Sequence, residues 1–262
     1  MAGRTFLGTL RLALLLVVLA FVALGAWLDH SRSRDWDAPL RVTVYPFAAS
    51  DSTAVSHWVA SLADDDFDDV EAFLARESSR YALPLDEAVR VRVSHAAHHG
   101  PPELGDDPGI LAIAWWSLRM RYYAARVAWD DPLPTPDIQV FATFAPIDDD
   151  AAAVPDSVGL RKGLLAVAHL YAGADAARSN QVVVVHELLH TLGATDKYDP
   201  RSGQPQAPDG LGDPQREPAY PQDQGEIMAG RIALSATQAV IASGLDDMVV
   251  GPSTAREIGW IE

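Results

Sequence analysis

The sequence predicts a layered α/β or α+β domain behind an apolar N-terminal segment. Three observations carry this reading. Period-two apolar runs alternate with helical stretches between residues 41 and 262. The composition is that of a folded chain, with 48% hydrophobic and 21% charged residues. The 262-residue length suits one domain of ordinary size plus appendages.

The N-terminal segment comes first. Leu12 to Leu28 are 17 positions without a charge, with Arg4 and Arg11 before them and Asp29, Arg32, Arg34 and Asp35 after. Roughly 17 residues is the lower limit for spanning a bilayer, and a positive start followed by an apolar run is an export signal. Trp27 sits where an aromatic interface anchor belongs. Residues 1–30 are therefore expected to be a signal anchor with the acidic part outside the cytoplasm, periplasmic or extracellular. Cleavage after the small residues Ala23 or Gly25 is the alternative, and it would release a secreted product. Residues 31–40 read as a polar tether, and residues 41–262 as the domain.

Within the domain, Arg41 to Phe47 alternates as a strand. Asp51 to Leu83 holds two helical stretches, the first with Val55, Trp58, Val59 and Leu62 on one side. Asp64, Asp65, Asp66, Asp68 and Asp69 between them read as a solvated helix start, with a calcium site as the sharper alternative. Val89 to Val93 (VRVRV) is a half-buried strand, and residues 100–109 are a loop. Ile110 to Trp129 is an aromatic-rich helix that ends before DDPLPTPD. Ile138 to Phe144 and Leu164 to Tyr171 are further strands, with His169 half-buried on the second. Leu234-Ser235 and Leu245 to Trp260 form a small C-terminal part whose last helix starts near Pro252. His95, His98 and His99 precede a proline-glycine loop and read as a solvated turn.

Composition also excludes chemistry. There is no cysteine, so thiolate metal sites, disulfides and a cysteine nucleophile are ruled out. A net charge of −16 repels phosphate backbones, so no nucleic-acid partner is expected.

The stretch that carries chemistry is Val182 to Pro200, VVVVHELLHTLGATDKYDP. Residues four apart on a helix share a face, so His186 and His190 can meet one metal ion. Glu187 lies beside the first histidine, where it can act as general base on a water held by zinc. Propensity alone would make the four valines a strand. The motif instead demands a buried helix, with Ser179 or Asn180 expected as its N-cap. Leu188, Leu189 and Leu192 are expected to pack that helix into the core. Gly193 ends the helix by a left-handed turn and brings Asp196 back toward the metal. Asp199 is a nearby rival for the same role.

The resulting pattern, H-E-x-x-H-x-x-G-x-x-D, resembles the metzincin clan of zinc metallopeptidases. The usual third ligand there is histidine, and Asp196 resembles the snapalysin-type variant. The resemblance implies an α+β zincin domain with a twisted mixed sheet, a backing helix, an active-site helix and a small C-terminal subdomain. It implies Zn²⁺ on His186, His190 and Asp196, Glu187 as the catalytic base, and a peptide or protein substrate. It also implies a methionine turn beneath the metal, for which Gly225 to Gly230 (GEIMAG, with Met228) is the candidate, 32 residues after Asp196. Simple core packing is the other role open to Met228. Tyr198 is a candidate to assist an oxyanion. Two rival readings stand beside this one. The first is a gluzincin-like peptidase with Glu217 or Glu226 as third ligand. The second is a membrane-anchored binding module with a structural metal site.

Overall fold

The computed structural model describes residues 35–105, 109–147, 158–160 and 164–262. The expected signal anchor at residues 1–30 lies outside the described residues.

Five strands build the main sheet: β1 (Leu40–Ala48), β2 (Val89–Val93), β3 (Ile138–Pro146), β4 (Val158–Leu160) and β5 (Leu165–Ala172). Their order is β2-β1-β3-β5-β4. The first three pairings are parallel and the β4–β5 pairing is antiparallel, so the sheet is mixed. The helices are α1 (Thr53–Ser61), α2 (Asp68–Arg80), α3 (Ile110–Asp130), α4 (Ala174–Leu192) and α5 (Pro252–Glu257). The expected α+β arrangement, a mixed sheet with flanking helices, is what the chain adopts.

Strand alternation sorts the core into two layers. Val42, Val44, Ile138, Val140, Ala142, Phe144, Ala166, Ala168 and Leu170 face one side, with α2 and α4. Tyr45, Phe47, Phe141, Leu165 and Val167 face the other, where Met120, Ala124 and Val127 of α3 cover them. The sheet therefore separates α3 from α4.

The valine run is helical because burial outweighs propensity. Valine costs a helix roughly 0.5 kcal/mol relative to alanine. Burying each side chain returns about 1.5–3 kcal/mol. Val182, Val184, Val185, Leu188, Leu189 and Leu192 are all buried, as the core role of the leucines required.

One expectation is corrected. Neither Ser179 nor Asn180 caps α4, which begins at Ala174 after Gly173. Gly173 has φ 134°, a backbone that glycine adopts without strain. It lets the chain leave β5 and enter the helix directly. Asn180 instead grips the sheet from mid-helix: its Oδ1 accepts from the Tyr171 amide at 3.1 Å and its Nδ2 donates to the Tyr171 carbonyl at 2.7 Å.

The acidic run 64–69 is absorbed locally. A 3-10 turn spans Asp64–Phe67. Asp64 accepts from Arg92 and the Val93 amide, and Asp66 caps the Ala63 amide. These are helix-start and strand-edge roles, in line with the plainer reading of the cluster.

The C-terminal part forms a second sheet of order β8-β7-β6-β9, from β6 (Gly225–Glu226), β7 (Arg231–Ser235), β8 (Gln238–Ile241) and β9 (Met248–Val249). Met228 follows β6 and is fully buried in the same core as α4. The final helix α5 starts at Pro252, where a missing amide costs nothing.

Candidate metal centre

His186, Glu187 and His190 sit on the last two turns of α4. Their ligand atoms lie within 4.8 Å of one another. The pattern is consistent with a metzincin-type HExxH zinc-binding signature, and it is the only such group of His, Asp or Glu among the described residues. The helix stops where the sequence says it should. Gly193 has φ 113° and ψ 3°, and its amide donates to the carbonyls of Leu189 and His190.

This stop turns the chain back over the histidines. Asp196 Oδ1 lies 3.2 Å from His186 Nε2 and 3.0 Å from His190 Nε2, and the two Nε2 atoms are 3.0 Å apart. Tetrahedral zinc with bonds of 2.0–2.1 Å needs ligand atoms roughly 3.3 Å apart, so the triangle is close to the required size.

The opposite ring edges fix which nitrogens face the triangle. His186 Nδ1 donates to the Ile227 carbonyl at 3.0 Å, and His190 Nδ1 donates to the Ala194 carbonyl at 2.9 Å. With both Nδ1 atoms protonated, both Nε2 atoms present lone pairs. Two imidazole lone pairs and a carboxylate oxygen at about 3 Å repel unless a proton or a metal cation lies among them. The donor set and its spacing fit Zn²⁺.

Charges follow from this packing. With no cation among the three groups, Nε2 protons of His186 and His190 are donated to Asp196, and these bonds hold its carboxyl far below the usual carboxylate range. Burial works to lower the His186 pKa, but the bond to Asp196, the Glu187 charge and the Ile227 carbonyl together raise it. Burial pushes Glu187 up, against the pull of both histidines. Glu187 is only 3% exposed, and its Oε2 has no hydrogen-bond partner. An unpartnered carboxylate oxygen costs stability unless it has a use.

The structure separates the rival ligands by what each touches. Asp199 caps its own turn: Oδ1 accepts from the Arg201 amide at 2.9 Å and Oδ2 from Ser202 Oγ at 3.3 Å. Glu226 is fully buried and accepts from the Met228 and Ala229 amides, the Gly251 amide and Thr254 Oγ1. Glu217 is exposed on the loop after Asp213. None of these carboxylates joins the histidines. Tyr198 is half-buried with its ring centroid 6.5 Å from that of His186. His95 contacts the Leu62 carbonyl, and His98 and His99 are exposed. Asp196→Ala should therefore weaken zinc affinity by at least the 10–100-fold typical of lost metal-site support, and Asp199→Ala should leave it within a fewfold. Competition titration with a chromogenic chelator checks this order.

Two supports hold these ligands. The first is the turn at Ile227–Gly230, inside the Gly225–Gly230 stretch expected beneath the metal; its backbone contact to His186 was not legible in the sequence. Glu226 ties it to the start of α5, and the Ile227 carbonyl orients His186. The second is Glu257 on α5. Its carboxylate accepts from the Thr195 amide at 2.8 Å, Thr195 Oγ1 at 2.7 Å and Lys197 Nζ at 2.8 Å. The Lys197 amide donates to the Met228 carbonyl at 3.0 Å. Asp196 is thus pinned through both chain neighbours.

This clamp has a pH signature. Burial opposes ionisation of Glu257, but bonds from Lys197 and Thr195 outweigh it and its pKa falls below the ordinary value. A depressed carboxylate contributes stability above its unfolded pKa of about 4.3 and loses it as pH falls through the lower folded value. Glu257→Ala leaves Lys197 buried without its carboxylate and should cost about 3 kcal/mol at pH 7. Urea melts between pH 3 and 7 should show the variant's deficit shrinking toward the acid end.

No protein-family model matches the chain, and no curated protein sequence matches it.

Proposed function

We propose that the chain is a zinc-dependent endopeptidase held at a membrane by its N-terminal segment, with the catalytic part outside the cytoplasm. The observation that carries this is the convergence of His186 Nε2, His190 Nε2 and Asp196 Oδ1 beside a buried carboxylate with an unpartnered oxygen. In this reading His186, His190 and Asp196 hold the zinc ion. When bound, zinc supplies Lewis acidity toward a peptide carbonyl and toward water.

The remaining work falls to the chain. Glu187 is the general base: it takes a proton from the attacking water and passes it to the departing amine. Burial favours this, because it raises the carboxylate's proton affinity toward the working range. The Ile227 and Ala194 carbonyls accept from the two Nδ1 atoms and so turn both Nε2 atoms toward the metal position. The clamp of Glu257 and Lys197 keeps Asp196 in place without touching substrate. A purely structural metal site has no use for Glu187 in this position, which argues against the binding-module reading.

Incubation of the full chain with a broad peptide library, read by mass spectrometry, tests the reaction. New amino and carboxy termini should appear with addition of one water, and chelation should stop them. An intact library with zinc-loaded protein would favour a binding module instead.

A further inference from the structure

The helix α3 carries a second apolar face that no other element among the described residues covers. Its buried side, Trp116, Met120, Ala124 and Val127, lies on the sheet. On the opposite side Leu111, Trp115, Leu118, Tyr122, Ala125 and Trp129 recur at the helical repeat. The five large ones are between 58% and 86% exposed. The stripe runs roughly 27 Å at 1.5 Å per residue. Patches of this size on a soluble surface mark an interaction site.

The charges beside the stripe say what covers it. Arg119 and Arg126 lie on one flank and Arg121 on the other, each about 60–80° from its centre at 100° per residue. The single acidic residue of α3 is Asp130, which pairs with Arg126 at 3.1 Å. The helix is therefore locally cationic in a chain of net charge −16. Aromatic and aliphatic residues in one stripe with arginines on both edges are the pattern of a helix lying in a membrane interface. Among the described residues no helix is long and apolar enough to cross a membrane, so α3 is not a span.

We propose that α3 docks this face on an anionic lipid bilayer. A second copy of the chain is the poorer partner, because two bodies of charge −16 repel. An anionic surface repels most of this protein as well, and α3 is the apolar element whose charge attracts it. The sequence-based expectation of an anchor at residues 12–28 fits the same picture. The tether expected over residues 31–40 ends sooner: Trp36 is buried in the domain, with its Nε1 donating to the Ile258 carbonyl, and Leu40 opens β1. The seven residues from Asp29 to Asp35 reach at most about 25 Å, so the domain stays near the surface. Docking through α3 also leaves the histidine cluster on the far side of the sheet from lipid, since the sheet lies between α3 and α4. The proposal does not depend on the zinc reading.

The chain has no cysteine, which makes single-site labelling clean. Full-length protein carrying a nitroxide at Leu118→Cys, or at the exposed control position Gln238→Cys, is reconstituted in vesicles of phosphatidylcholine with one quarter phosphatidylglycerol. Accessibility to oxygen and to a water-soluble nickel complex is then measured. At position 118 oxygen accessibility should rise and nickel accessibility fall, with neither change at position 238. Pure phosphatidylcholine should weaken the effect. Arg119→Gln and Arg121→Gln should each lower the ratio of docked to undocked protein about fivefold in the anionic vesicles. Equal nickel accessibility at both positions would overturn the proposal. Loss of both accessibilities at position 118 would also overturn it, because it means a protein surface covers the stripe: a second copy if dipolar broadening vanishes on dilution with lipid, residues 12–28 if shielding persists.

Discussion

Glu187→Gln should lower peptide turnover by at least 10²–10⁴-fold while leaving zinc content and fold unchanged. Glutamine keeps the size of glutamate but cannot accept a proton at neutral pH. Removing a positioned general base costs about 3–5 kcal/mol of barrier. The side chain makes none of the contacts that fix the histidines, which rest on the Ile227 and Ala194 carbonyls. Its Oε2 is already without a partner, so the fold loses no hydrogen bond there. Neutral glutamine also removes the cost of a buried charge, so the melting temperature should hold or rise. A variant as fast as the wild type would assign the hydrolysis to another site.

Loss of either imidazole should have the second large effect. His186→Ala or His190→Ala removes one of three converging donors, and zinc retention after gel filtration should fall to background. The fold should survive, because Asp196 is pinned independently through Thr195, Lys197 and Glu257. Thermal melts separate the two outcomes. A ligand at 1,000 times its dissociation constant stabilises by about 4 kcal/mol. Wild-type protein should therefore melt lower after chelation and recover with zinc, while each variant melts at one temperature under both conditions. Stoichiometric zinc in the double variant would remove these histidines from the site.

The local parts of this arrangement were legible because their causes are local. The four-residue spacing of His186 and His190 sets a shared helix face, and Gly193 supplies the left-handed stop that returns Asp196 to them. The strand pattern gave β1, β2, β3 and β5 to within a residue or two, because alternation reports which side is buried. The start of α4 was missed because a polar cap was sought near the motif, whereas Gly173 opens the helix directly after β5. The spacing after Gly193 favoured Asp196 with Asp199 as its rival; out of reach of the sequence was the turn that occupies the Asp199 carboxylate. Glu257 was out of reach altogether. It meets Thr195 across 62 residues, and a lone glutamate on a short C-terminal helix carries no periodic signal. The apolar stripe of α3 was visible as aromatic richness, but only the fold shows which side the sheet takes.

Reconstitution of metal-free protein with zinc, with turnover and bound zinc read in the same samples, tests the central claim most directly. Turnover should rise in proportion to zinc and level off at one ion per chain. Turnover that ignores zinc content, or none at one bound ion per chain, would contradict the account.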